Sequence, residues 1–158
     1  MSVDESADDT DVIVKEIFLE ASPEEVFPYL TESGKYLLWM GVAAQIEARP
    51  GGVFSVDPNG RDVIFGEFLE VRRPTRVVFT WGWKEPGHPL PAGSTRVEID
   101  LIAKGGGTLL RLVHRGVHGE FNKRHRDGWD HYLARLLVVI AGSDPGADPY
   151  ASPDHRHS

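Results

Sequence analysis

The sequence predicts an α+β domain in which a meander of antiparallel strands is closed by one long helix. Three observations predict it. After residue 42, six strand-like runs follow one another, separated by Pro- and Gly-rich turns too short for the crossovers of a parallel sheet. One amphipathic helical pattern comes last, with Trp129, Leu133, Leu136, Leu137 and Ile140 at helical spacing. The chain has 158 residues, 41% apolar, and no Cys, which fits one domain able to bury a core without disulfide or metal staples.

The elements follow in order. Val12–Glu20 is β-branched and apolar and reads as a first strand. Ser22-Pro23-Glu24-Glu25 then supplies an N-cap, a proline for the first helical position and a capping-box glutamate. That helix is expected to end near Gly34, and Tyr36–Met40 forms an apolar patch read as a short second helix. Strands are expected at 42–49, 53–56, 62–71, 76–83, 94–103 and 108–115, each closed by Pro, Gly or Asn-Gly. The final helix spans Glu120–Ala141 and stops at Gly142.

Alternation assigns faces. Thr95, Val97, Ile99 and Leu101 share one face of their strand, opposite Arg96, Glu98 and Asp100. Leu110, Leu112 and His114 align inward, as do Val77, Phe79, Trp81 and Trp83. Strand 62–71 alternates poorly, because Ile64-Phe65 and Phe68-Leu69 are adjacent apolar pairs, so a bulge is expected near Gly66. If odd positions face inward there, Glu67 becomes a polar group inside the domain.

The net charge of −7 belongs to the ends. Residues 1–11 carry −5 and residues 143–158 carry −2, leaving 16 acids and 16 bases between them. Both ends read as disordered, an acidic leader and a Pro-, Ser- and Asp-rich tail around a domain at 12–142. A balanced domain argues against bulk attraction to nucleic acid or to a membrane surface. No signal-like segment and no membrane-length apolar run occurs, so a cytoplasmic protein is expected. No phosphate loop or nucleophile elbow appears. His114, His118 and Glu120 make a loose H-x3-H-x-E, but the span crosses two glycines rather than a helix, and no metal or other cofactor is expected. Lys123, Arg124, His125 and Arg126 form a basic cluster read as a solvated helix face.

Five pieces of the sequence carry a resemblance. They are Ala21-Ser22-Pro23-Glu24-Glu25-Val26-Phe27; Arg49-Pro50-Gly51-Gly52-Val53-Phe54; Gly66–Val71 with Pro74 and Arg76–Trp81; Thr108–His114; and Gly128-Trp129 with Leu133 and Leu136. In this order, over about residues 12–141, the chain resembles the family of the activator of heat-shock protein 90 ATPase-like domain. That family lies in the START/birch-pollen-allergen-like superfamily, also called helix-grip or SRPBCC. The resemblance implies a curved antiparallel sheet of about seven strands wrapped on the C-terminal helix, often around an apolar cavity. It implies a small hydrophobic or amphipathic ligand held between sheet and helix.

The expected cavity wall is Trp39, Phe54, Phe79, Trp81, Trp83, Val97, Ile99, Leu110, Leu112, Trp129, Tyr132 and Leu136, with His114, Tyr132 or Glu67 orienting the ligand. Two alternatives stay open. One is a cyclase- or aromatase-type enzyme pairing Glu67 with His114 or Tyr132. The other is a stress-response module acting on a chaperone ATPase, although the eukaryotic activator also uses another domain and 11 leading residues cannot supply one. Superfamily members often pair, so a homodimer is also an open expectation.

Overall fold

The computed structural model describes residues 11–151, so the leader up to residue 10 and the tail from residue 152 lie outside the described residues. Strand β1 (Val12–Leu19) is followed by three single-turn helices, α1 (Pro23–Val26), α2 (Pro28–Thr31) and α3 (Ser33–Tyr36). Six strands follow: β2 (Ala43–Ile46), β3 (Val53–Asp57), β4 (Ile64–Arg72), β5 (Arg76–Trp81), β6 (Thr95–Lys104) and β7 (Gly107–Arg115). The long helix α4 (Phe121–Ile140) comes last, before a short 3-10 turn at Pro149–Ala151. The seven strands form one antiparallel sheet in the order β1-β7-β6-β5-β4-β3-β2, the helix-grip arrangement. Only β1 leaves chain order: it returns beside β7, with Val12 opposite Arg115 and Leu19 opposite Thr108.

The expected capping box is present. Ser22 Oγ accepts from the Glu25 N–H at 3.2 Å, and Glu25 Oε1 accepts from the Ser22 N–H at 3.0 Å. The single helix expected from there to Gly34 is instead three separate turns. Pro28 has no N–H to continue the ladder, and restarts it as the first residue of α2. The patch at Tyr36–Met40 is not a helix of its own. The chain leaves α3 in turns, with Tyr36 O accepting from the Trp39 and Met40 N–H groups.

Strand β4 corrects two expectations. The register shift lies between Phe68 and Glu70, so the extra residue is Leu69, which projects outward, and not Gly66. Before the shift the even positions Ile64, Gly66 and Phe68 are buried and Glu67 is exposed; after it Val71 packs on the core. The inward-odd phase therefore applies only beyond the bulge, and Glu67 stands on the outer face. Gly66 is required for another reason: a Cβ there would collide with the Thr80 carbonyl of β5. At this close approach Thr80 Oγ1 accepts the Glu67 N–H at 2.9 Å, substituting for a ladder bond.

Helix α4 lays Trp129, Tyr132, Leu133 and Leu136 against the inner face of the sheet. The other end of the core is a filled aromatic cluster. Phe54 stacks on Phe79 at 4.1 Å, Phe68 meets both rings edge-on, and Tyr36 and Trp39 close over them. The outer face carries a ladder of charge, including Arg76 with Asp100 at 2.8 Å and Arg115 with Glu98 at 3.1 Å.

Replacing Gly66 by Ala should lower stability by about 1–3 kcal/mol, because the clash is with backbone and neither strand can yield locally. Urea unfolding midpoints of the two proteins test this, and an unchanged midpoint would contradict the close approach.

Candidate functional site

Two tryptophan–histidine pairs join helix α4 to the sheet and its adjoining loop. His114, at the inner end of β7, is fully buried. Its Nδ1 accepts from Trp129 Nε1–H at 3.0 Å, and its Nε2 meets Thr95 Oγ1 at 2.8 Å. Thr95 Oγ1 spends its own proton on the Trp81 carbonyl at 2.7 Å. Each proton in this relay has one available place, so His114 is neutral and carries its hydrogen on Nε2. The second pair is built the same way. Trp83 Nε1–H donates to His125 Nε2 at 3.3 Å, while His125 Nδ1 donates to the Phe121 carbonyl at 2.8 Å.

Burial pushes both imidazoles toward neutrality. The His114 pKa is held well below the usual histidine value by desolvation, then by neighbouring His125. The His125 pKa is lowered by desolvation, opposed by its bond to the Phe121 carbonyl. His114 therefore has no spare lone pair for a ligand, and it holds helix and sheet together.

Beside these pairs lies a pocket of about 220 Å³, walled by Met40, Ile64, Trp81, Trp83, Trp129 and Tyr132. His125, Gly128 and Tyr150 complete it, and the exposed Arg124 and Asp127 mark its mouth. Of the residues proposed from sequence, Trp81, Trp83, Trp129 and Tyr132 reach this space. Trp39, Phe54, Phe79, Val97, Ile99, Leu110, Leu112, His114 and Leu136 do not line it; they are buried against one another or, for His114, inside the relay. Aromatic stacking fills what would otherwise be the deep end of a larger cavity. Glu67 is on the opposite face of the sheet, so it is not brought together with His114 or Tyr132.

Three contributors were missed. Arg124, which the sequence places on a solvated helix face, lines the mouth. Gly128 sits inside α4 with nothing within 4 Å of where a Cβ would be, so its missing side chain opens the wall. Tyr150 comes from the stretch read as loose tail. Residues 143–151 instead turn back along α4: Arg135 Nη1 donates to the Gly146 carbonyl at 3.1 Å, and Asp148 Oδ1 meets His131 Nε2 at 2.6 Å. Tyr150 then stacks on His131 at 3.9 Å, with the ring planes 12° apart. One aromatic in a Pro- and Asp-rich stretch was the signal that it could anchor. Burial, then the Asp148 carboxylate, push the Tyr132 phenol pKa up, so this wall residue is uncharged at neutral pH. Among the described residues no group of three His, Asp or Glu side chains could hold a metal ion, and no helix is long and apolar enough to cross a membrane.

A family model described as activator of Hsp90 ATPase homolog 1-like protein matches residues 20–141, and the chain belongs to that family. It is 31% identical over 123 residues to the human activator of 90 kDa heat shock protein ATPase homolog 1, an alignment covering 77% of this chain and 34% of that protein. The chain thus matches about a third of its curated relative's length. An AHSA1-like protein from Rhizobium etli is similar in structure, with 44% identity, a TM-score of 0.70, and coverage of 93% of this chain and 92% of its own. The Aha1 dimer from Colwellia psychrerythraea shares the fold at 19% identity and a TM-score of 0.70, covering 82% of this chain and 95% of its own.

Stability should fall as pH drops below about 6.5. The unfolded histidines take up protons there, whereas native His114 and His125, with their lowered pKa values, do not. The stabilisation is complete above the unfolded pKa and is lost as pH descends toward the folded values. Urea midpoints at pH 7.5, 6.0 and 5.0 should decline, and the decline should be smaller in the His114→Gln/His125→Gln variant. Equal slopes in the two proteins would contradict the neutral relay.

Proposed function

We propose that this family member is a cytoplasmic binding protein for a compact apolar or amphipathic molecule, held in the pocket between β5 and α4. The observation that carries the reading is the pocket wall itself. Three indoles, two phenols, a methionine and an isoleucine converge there, and a helical glycine leaves the entrance clear. Gly in a helix interior costs about 1 kcal/mol relative to Ala. Apolar cavities of roughly 150 Å³ accept a benzene-sized molecule, and drug-sized ligands need about 300 Å³ or more. At about 220 Å³ the pocket suits one or two fused rings.

Titration with indole, followed by amide chemical shifts, tests this. Shifts should move at Gly128, Trp129 and Tyr132 and saturate with one site. Gly128→Leu, whose side chain would fill the opening, should abolish them while leaving the fold intact; Gly128→Ala should raise stability by about 0.5–1 kcal/mol. Absence of saturable shifts with the unmodified protein would overturn the reading.

The human relative's description favours a second reading, a module that stimulates the ATPase of a 90 kDa heat-shock protein. A steady-state ATPase assay separates the two. The chaperone reading expects a dose-dependent rate increase that Gly128→Leu leaves unchanged.

A further inference from the structure

We infer that the pocket prefers an anion: a compact aromatic body carrying a carboxylate or similar monoanionic head, which Arg124 meets at the mouth. The inference rests on the pocket reading and adds the class of ligand. Arg124 lines the pocket and makes no hydrogen bond or ion pair among the described residues. The other charged lining residue, Asp127, is already engaged by Lys123 at 2.8 Å, and that lysine holds its carboxyl below the usual range. The mouth therefore offers one unpaired guanidinium beside a neutralised pair.

Inside, Trp81 is almost wholly buried and its Nε1–H has no hydrogen-bond partner. A buried donor left unpaired costs about 1–3 kcal/mol. Trp81 walls the same pocket. That N–H itself is closed off from the pocket space, so the unpaired donor that a ligand would meet is the Arg124 guanidinium at the mouth.

Arg124 lies in the first turn of α4, with Lys123 and Arg126 as neighbours and no acidic residue in that turn beyond the N-cap Glu120. Cations at a helix N-terminus are opposed by the helix dipole. A bound anion would relieve that repulsion and complete the planar fork of the guanidinium. Nearby His125 is kept neutral and adds no competing charge. The pocket volume restricts the body to one or two fused rings, so the head of such a molecule reaches the mouth instead of being swallowed.

Three probes of one shape and different charge test it: indole-3-acetate, indole-3-acetamide and tryptamine, measured by calorimetry. The acetate should bind about three- to tenfold more tightly than the amide, and tryptamine more weakly than either. The preference should shrink in 0.5 M salt. Arg124→Gln should remove the preference for acetate over amide, and Arg126→Gln, which alters a charge outside the pocket wall, should retain it. Equal binding of acetate and amide to the unmodified protein would overturn the anion preference and leave the pocket reading standing. A preference that survives Arg124→Gln would overturn the role of Arg124. No binding by any of the three would overturn the pocket reading and this inference with it.

Discussion

The Trp129–His114–Thr95–Trp81 relay is the constraint on which the domain depends. It is the fully buried polar fastening between a long helix and the inner face of a sheet whose contact is otherwise mainly apolar, with Lys15 of β1 bridging to Asp130 at 2.8 Å outside it. Apolar packing sets how closely α4 approaches, but it tolerates sliding; a buried relay with one place for each proton does not. Fixing Trp129 against β7 fixes the rotation of α4. That rotation decides which side of the helix, with Arg124, Gly128 and Tyr132, faces the remaining space. Interface rigidity and pocket shape therefore have a common origin. The Trp83–His125 pair repeats the device one turn earlier along α4 and anchors the segment beyond β5 to it.

Much of this architecture was legible from residue order. The turn chemistry at Gly52, Gly60 and Pro74 and the alternation of β6 and β7 point to an antiparallel meander, and Ser22 to Glu25 locate the first helical turn, but nothing local pairs β1 with β7. Failures occurred where long-range geometry overrode local pattern. The phase of β4 depends on a bulge at Leu69, and two adjacent apolar pairs in that strand do not say which pair absorbs the extra residue. The consequence was an acidic residue placed on the wrong face. Pro28 divides a helix whose apolar spacing reads as continuous.

Legibility of the pocket was poorer for a different reason. Periodicity reports which side chains turn inward but not which of them find a partner ring. Phe54 and Phe79 stack, and so are lost to any cavity, whereas Trp81 and Trp83 on the same alternation are not fully covered by neighbours of their own kind. The residues that open the space are absences and edges: a glycine with no side chain, an arginine at the rim, a tyrosine from a segment with tail-like composition. Composition discounts all three. His114 shows the converse, because its chemistry attracted notice while its geometry leaves both ring nitrogens committed.

The distribution of indoles has an optical consequence. All four tryptophans of the chain, Trp39, Trp81, Trp83 and Trp129, are almost wholly shielded from water, and three of them wall the pocket. Near-ultraviolet emission from this protein therefore originates in a dry interior and comes largely from rings touching one small volume. Whatever enters that volume alters the surroundings of most of the emitters at once. The domain carries a built-in reporter of its own occupancy, with Trp39, bonded to the Tyr29 carbonyl at 2.9 Å on the far side of the core, as an internal reference.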